Sequence, residues 1–344
     1  LIKQHTVSIT LFIIMLSIKQ YTKETTVDNG IEEIIIDELI CPLNNLPITV
    51  NKITIKIQFY VFRREHKIPY GCELIIENIK IENMETFNKI QEEDYLDITE
   101  IMLTCCKLKQ FPIIIFDLAN LQFLHLYCNQ ITVIPDSIAS LTNLQVLHLY
   151  NNQITEIPDS IASLTNLQIL SLSYNQITKI PDGIASLTNL QTLHLNDNKI
   201  TEIPDSINSL TNLQELYLEN NQITLIPDSI NSLTNLQTLY LHNNKITEIP
   251  DSIASLTNLQ ILHLDNNKIT EIPNSIASLT NLKKLWLSYN KITEIPDSIA
   301  SLTNLQGLYL YNNKITKIPE WLKKYKNPIF AILKIISKKI NICQ

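Results

Sequence analysis

Glycine is scarce in this chain: four in 344 residues, at Gly30, Gly71, Gly183 and Gly307. Loops that cradle phosphate need clustered glycines so that the main chain can approach the ligand. A P-loop, a dinucleotide fingerprint and a kinase-type glycine loop are therefore excluded. The six cysteines (Cys41, Cys72, Cys105, Cys106, Cys128, Cys343) are scattered and form no C-x-x-C pair. No N-x-S/T acceptor occurs either. Together these absences point to a reducing compartment, and a cytoplasmic location is the expectation. There is no apolar run long enough to span a bilayer, since Val7–Ile18 has only twelve residues. The net charge of −7 is mild and spread along the chain, so it implies no nucleic-acid or other polyanionic partner.

What is present is repetition. From Leu118 onward a 23-residue unit recurs nine times without a slip, opening at Leu118, Leu141, Leu164, Leu187, Leu210, Leu233, Leu256, Leu279 and Leu302. A fixed period of this size marks a solenoid. Each unit offers seven apolar positions, for example Leu141, Leu144, Leu147, Leu149, Ile154, Ile157 and Ile161. One unit cannot offset the entropy of ordering its own backbone, so the units must stack and share a continuous core. In Val146-Leu147-His148-Leu149-Tyr150 apolar residues alternate with others, the period of a strand with one buried face. Pro158 fixes φ and removes an N–H, so the chain leaves the sheet there, and Asp159-Ser160-Ile161 reads as a short helical or turn segment. An asparagine falls where each strand ends: Asn129, Asn152, Asn175, Asn198, Asn221, Asn244, Asn267, Asn290 and Asn313. An amide with two donors and an acceptor can satisfy loop backbone groups of its own and the neighbouring repeat, so this column is expected to be a structural ladder.

The pattern L-x-x-L-x-L-x-x-N-x-I-x-x-I-P-x-x-I resembles the leucine-rich repeat proteins. Its I-P-x-x-I ending is similar to the intracellular Ras-suppressor and Scribble-type subclass. The resemblance covers 118–324 and implies an α/β solenoid: a curved array with a parallel sheet on the concave face and short helical or 3-10 turns on the convex face. Extracellular members of the family carry paired-cysteine caps, and none is visible here. The resemblance also implies a protein partner, such as a small GTPase or another signalling protein, with a monomer expected. Only framework positions match, so no partner-specific residue carries over.

Outside the regular array the pattern blurs. The chain begins on Leu1, and its natural start is left open. Residues 1–30 contain the apolar run Val7–Ile18, read as a buried or capping segment, with a signal or membrane anchor, and a misplaced start, as the alternatives. In 31–94 two apolar-Pro steps precede strand-like runs near Ile53–Ile57 and Leu74–Ile76, which favours eroded repeats over a separate domain. If they are repeats, these strands should join the sheet of the array. Residues 95–117 read as a degenerate first repeat, with Tyr95 in place of the opening leucine and Cys106 in the asparagine slot. In 325–344, Ile329, Leu333, Ile336 and Ile340 recur at helical spacing among lysines. That is expected to be a closing helix, or else a basic membrane-surface segment.

Comparing the repeats with one another shows where they differ. The outer Asp-Ser-Ile-Ala-Ser segment is nearly copied throughout, while differences concentrate on the outward strand positions. One column reads His125, His148, Ser171, His194, Tyr217, Tyr240, His263, Trp286, Tyr309. Two residues on, it reads Tyr127, Tyr150, Ser173, Asn196, Glu219, His242, Asp265, Ser288, Tyr311. Tyr174 and Tyr289 follow. This enrichment of Tyr, Trp and His on one face points to a partner surface whose side chains extend into solvent, with Glu219 and Asp265 as acidic companions. His125 and His148 should stand side by side, roughly one strand spacing of 4.8 Å apart. No third ligand has a secure position beside them, so no metal site is assigned and no cofactor is expected. Ser171 lacks an oriented base and an oxyanion hole, so no enzyme activity is expected. The leading function is a protein-interaction scaffold or adaptor. The alternatives are the recognition half of an effector, ligase-like or host-interacting, and a secreted or membrane-tethered binder using Val7–Ile18.

Overall fold

The computed structural model describes the main chain of three N-terminal strands, all of 100–322 and the main chain of 323–324. The run Val7–Ile18, the closing segment 325–344, and Cys41, Cys72 and Cys343 lie outside the described residues. Two compact units divide the chain, Leu1–Gln153 and Ile154–Gln344.

The first unit opens with β1 (Glu33–Ile36), β2 (Lys52–Lys56) and β3 (Glu73–Glu77). They are parallel and in register through Ile34, Ile53 and Leu74. They form a three-stranded sheet of their own, with β3 beside β4 (Glu100–Met102). The expectation that they would join the sheet of the regular repeats is not met. The sequence interval from Leu74 in β3 to Ile101 in β4 is longer than the steps from Ile34 to Ile53 to Leu74, so no constant period runs from these strands into the regular repeats. From β4 the regular repeat takes over: β5 (Phe123–His125) and β6 (Val146–His148) pair in parallel, with Ile101, Leu124 and Leu147 in one row.

The second unit contains β7 (Ile169–Ser171), β8 (Thr192–His194), β9 (Glu215–Tyr217), β10 (Thr238–Tyr240), β11 (Ile261–His263), β12 (Lys284–Trp286) and β13 (Gly307–Tyr309). All pair in parallel, one repeat to the next. The strands are three residues long, shorter than the five-residue alternation suggested. The ladder nonetheless continues past them, as the Leu218 N–H bonding to the Tyr240 carbonyl at 2.9 Å shows.

Each turn back is a 3-10 segment such as Asp228–Ser232, entered through Pro227 at φ −71°. The seven apolar positions of a repeat are all interior: Leu210, Leu213, Leu216, Leu218, Ile223 and Ile230 have no exposed surface and Ile226 has 1%. A leucine at each strand centre and an isoleucine under each 3-10 turn thus fill the space between the two layers, and the fold is an α/β solenoid. A short helix, α1 (Glu320–Lys324), ends the described chain, with Leu322 buried.

The asparagine column accounts for the loop amides and carbonyls that the sheet cannot reach. Asn221 Nδ2 donates to Leu195 O at 2.9 Å and Leu218 O at 3.1 Å, while its Oδ1 accepts from the Ile200 N–H at 2.9 Å. Asn129, Asn152, Asn198, Asn244, Asn267, Asn290 and Asn313 make the same kind of bridge to the preceding repeat. The Oδ1 of Asn175 accepts from Ile154 at 2.9 Å. Cys106, which occupies this slot in its repeat, turns its thiol onto the Thr104 carbonyl at 3.2 Å instead.

Candidate functional site

In the second unit the last residue of each strand points away from the core, and strand pairing places these residues one against the next. The result is a continuous stack of rings. His194 and Tyr217 lie 4.3 Å apart with planes at 7°, and Tyr217 and Tyr240 lie 5.2 Å apart at 11°. Tyr240 meets His263 edge-on at 5.4 Å, His263 meets Trp286 at 4.9 Å, and Trp286 stacks on Tyr309 at 5.2 Å. The expectation of rings extending freely into solvent is corrected here. Tyr217, Tyr240, His263, Trp286 and Tyr309 are half-buried, because a parallel ladder holds equivalent side chains about 4.8 Å apart, the separation at which rings cover each other's faces. The large aromatics that do stand out are Tyr174, Tyr289 and Tyr311, at 58%, 47% and 48% exposure.

A second row runs alongside. His242 stacks on His263 at 4.0 Å and meets Tyr240 edge-on at 5.9 Å. His263 Nε2 lies 3.3 Å from Asp265 Oδ2, and the other oxygen of Asp265 accepts the Ser288 N–H at 2.6 Å. Burial lowers the His242 pKa to about 4, and the neighbouring His263 pushes the same way. Burial also raises the Glu219 carboxyl above its ordinary value, with Asp197 adding to the effect. The Nδ1 atoms of His242 and His263 and the Oε2 of Glu219 are covered without a hydrogen-bond partner. The row combines aromatic surface with carboxylates at Asp197, Glu219 and Asp265. A cation fits such a surface, its charge on the carboxylates and its apolar stem on the rings.

Three contributors escaped the reading of the sequence. Glu215 accepts the Tyr217 hydroxyl at 3.1 Å, and burial, with that carboxylate adding to it, raises the phenol's pKa. Lys284 sits 5.4 Å over the Trp286 ring. Asp197 accepts from Asn196 Nδ2 at 2.8 Å, and its charge raises the Tyr174 phenol above its ordinary pKa. Glu215 and Lys284 lie two residues before the aromatic column, so the same period-two alternation places them on its face. Gly307 completes the surface by its small size: a Cβ there would lie 2.7 Å from the Tyr309 ring.

The first unit carries His125, His148, Tyr127 and Tyr150. The two imidazoles are 4.8 Å apart with Nδ1 atoms 3.0 Å from each other, and His125 Nε2 lies 3.4 Å from Glu100 Oε1. Burial lowers the His125 pKa. Tyr127 and Tyr150 stack at 4.4 Å and 8°. Among the described residues no cluster of three His, Cys, Asp or Glu side chains has metal-binding geometry.

Comparison with known proteins agrees with this geometry. A family described as a leucine-rich repeat region matches 164–244, 206–290 and 228–327, and a second leucine-rich repeat family matches 97–154 and 119–177. No curated protein matches the chain. Among solved structures, a leucine-rich repeat protein of Leptospira interrogans is 34% identical with a TM-score of 0.67, over 72% of this chain and 63% of that one. The ectodomain of the Arabidopsis thaliana membrane receptor kinase GASSHO1/SCHENGEN3, in complex with Casparian strip integrity factor 2, is 26% identical with a TM-score of 0.67, over 77% of this chain and 33% of that one. An internalin of Listeria monocytogenes is 25% identical with a TM-score of 0.55, over 81% and 86%. The chain thus spans less than two thirds of the first two.

Proposed function

Since this chain belongs to the leucine-rich repeat proteins, we propose that it is a monomeric protein-interaction scaffold that holds a partner protein on the strand face of Ile154–Gln344. The observation that carries this reading is the unbroken ring stack from His194 to Tyr309 with carboxylates beside it. Large, rigid aromatics with few rotamers to freeze are the residues that dominate protein interfaces. The Arabidopsis ectodomain, which is seen in complex with Casparian strip integrity factor 2, lends this support from a related fold. The partner presents an apolar knob flanked by Lys or Arg, matching Glu215, Glu219 and Asp265, so its association weakens as salt rises. No residue takes a catalytic role in this reading.

The 23-residue I-P-x-x-I framework favours an intracellular signalling partner of the small-GTPase kind and a cytoplasmic location. A second reading, an exported or membrane-tethered binder, draws on the match to a receptor ectodomain. Among the described residues no helix is long and apolar enough to cross a membrane. Fractionation of cells expressing the chain with and without residues 1–20 separates the two readings.

The test of the binding face is quantitative capture by three proteins: the intact chain, the Tyr240→Ala/Trp286→Ala double variant, and a Ser229→Ala/Ser252→Ala control on the outer segment. A partner lost by the double variant alone, with a urea melt showing that variant still folded under the assay conditions, supports the assignment. A partner lost by the outer control and retained by the double variant sinks it.

A further inference from the structure

Three residues past the end of each of β4, β5 and β6 the loop carries a residue in left-handed backbone, and these residues form a column of their own. In the first unit its members are Cys105, Cys128 and Asn151, at φ 57°, 56° and 56°. Each stands three residues beyond a paired row, Met102, His125 and His148, so strand register sets them side by side. The main chain is still paired at this height: the Cys105 N–H donates to Tyr127 O at 3.2 Å and the Cys128 N–H to Tyr150 O at 3.0 Å.

Side chains in this column touch their neighbours one repeat away. Asn151 Nδ2 donates to Cys128 Sγ at 3.2 Å. The same slots of the second unit show Asn243 bonded to Asn220 at 2.7 Å and Asn266 to Asn243 at 2.8 Å. Cys105 and Cys128 occupy the same slot of consecutive repeats, and the Cys128 sulfur acts on the Cys105 thiol. Cys105 is exposed and Cys128 half-buried, whereas the adjacent Cys106 is buried and faces Thr104. Cα atoms about 4.8 Å apart at strand spacing fall inside the window of roughly 4.4–6.8 Å that a disulfide needs.

We propose that Cys105 and Cys128 are a redox-reversible pair that closes into a disulfide between two consecutive repeats. The oxidant is a low-molecular-weight disulfide of the glutathione class. Cys105, the accessible thiol, gives its proton to solvent and its thiolate attacks one sulfur of that disulfide. The small S–S bond breaks, and the departing thiolate takes up a proton. The Cys128 thiolate, its own proton lost to solvent, then attacks the Cys105 sulfur of the mixed disulfide and expels the second small thiolate, which is protonated in turn. Two protein thiols have then passed two electrons and two protons to one small disulfide, leaving one protein disulfide and two small thiols. Burial and the adjacent Cys128 sulfur push the Cys105 thiol above its ordinary value, so the first step accelerates in mild alkali. Among the described residues no third ligand joins the two sulfurs, which favours the bond over a bound metal.

The bridge would tie 95–117 to 118–140 at the ends of β4 and β5. It lies beside the Tyr127–Tyr150 stack, where burial and the neighbouring Tyr127 raise the Tyr150 pKa to about 12 and both thiols add to the shift. A disulfide here stiffens the end of the strand face while leaving the core leucines in place.

The test exposes the full chain to oxidised glutathione in mild alkali, alkylates it without reduction, and maps the linked tryptic peptides by mass spectrometry. The expected product joins Cys105 to Cys128. It disappears in Cys105→Ser and in Cys128→Ser and survives in Cys106→Ala. The oxidised wild type should melt a few degrees above its reduced form, with no such gap in Cys105→Ser. Glutathione adducts that never resolve, a bond through Cys106, or a dimer linked through Cys105 would each overturn the assignment.

Discussion

Tyr217 and Tyr240 lie ring on ring across adjacent strands, 5.2 Å apart with planes 11° from parallel, and the Tyr217 hydroxyl is anchored on Glu215 at 3.1 Å. The proposed partner surface is therefore also a packing layer. Neighbouring rings pack face to face or edge to face along the strands. Folding and binding draw on the same side chains, and mutations there need two readouts.

Tyr240→Ala should cost binding on the order of 2 kcal/mol if Tyr240 anchors the partner. It should also lower folding stability by roughly 1–2 kcal/mol, because it removes the stack on Tyr217 and the edge contact with His263. Tyr240→Phe keeps the ring and should retain both. Calorimetric titration and urea melts of the two variants check this. A Tyr240→Ala protein with an unaltered urea midpoint would show that the stack carries no stability.

Asn221→Leu in the middle of the array removes an amide that serves Leu195 O, Leu218 O and the Ile200 N–H. Asn221 is only 7% exposed, so water cannot readily replace it. Each group left unsatisfied should cost about 1–3 kcal/mol, making this among the most damaging single changes in the array. A denaturation midpoint equal to wild type would contradict the ladder role.

Ser229 and Ser252 behave in the opposite way. Their hydroxyl oxygens are covered and have no hydrogen-bond partner. Removing a buried polar atom that bonds nothing relieves a desolvation cost, so each serine-to-alanine change should be neutral or stabilising by up to about 1 kcal/mol. Thermal melts of the single variants decide it, and a drop in midpoint would contradict it.

Much of this was legible in the sequence, and for a definite reason. Nine copies at constant period fix the role of every column, so the strand leucines, the proline exit into the 3-10 turn and the asparagine slot all follow from one repeat. What the period does not encode is how outward side chains treat each other. His125 and His148 were placed side by side by register alone, yet the same reasoning applied to Tyr217, Tyr240 and Trp286 implies rings in mutual contact rather than in open solvent. Cys105 and Cys128 are likewise exactly one period apart, and scanning the cysteines against the repeat, rather than against C-x-x-C motifs, would have found them. The N-terminal strands were harder because the intervals among Ile34, Ile53, Leu74 and Ile101 vary. With no constant step there is no column to read.

The histidines make stability depend on pH, and the sign can be worked out. His242 is packed between Tyr240 and His263, with Asp265, Asp197 and Glu219 as the nearby acidic groups. Its folded pKa is about 4, below the 6.5 of a free imidazole, chiefly because burial disfavours the charged form. Between these values the unfolded chain binds more protons than the folded one, so stability rises with pH across that window. The contribution is complete above 6.5 and is lost as pH falls through 4. Allowing for solvent screening of a half-exposed ring, it amounts to roughly 1–2 kcal/mol. His194 and His125, also lowered by burial, act in the same direction. Glu219 opposes them: its raised pKa means that the folded state holds the proton more tightly, so its contribution grows as pH falls. Melting temperatures measured from pH 4 to 7 should therefore climb for wild type, climb less for His242→Gln, and climb more steeply for Glu219→Gln in the acid half of the range. Parallel curves for wild type and His242→Gln would mean that the proton is taken up elsewhere.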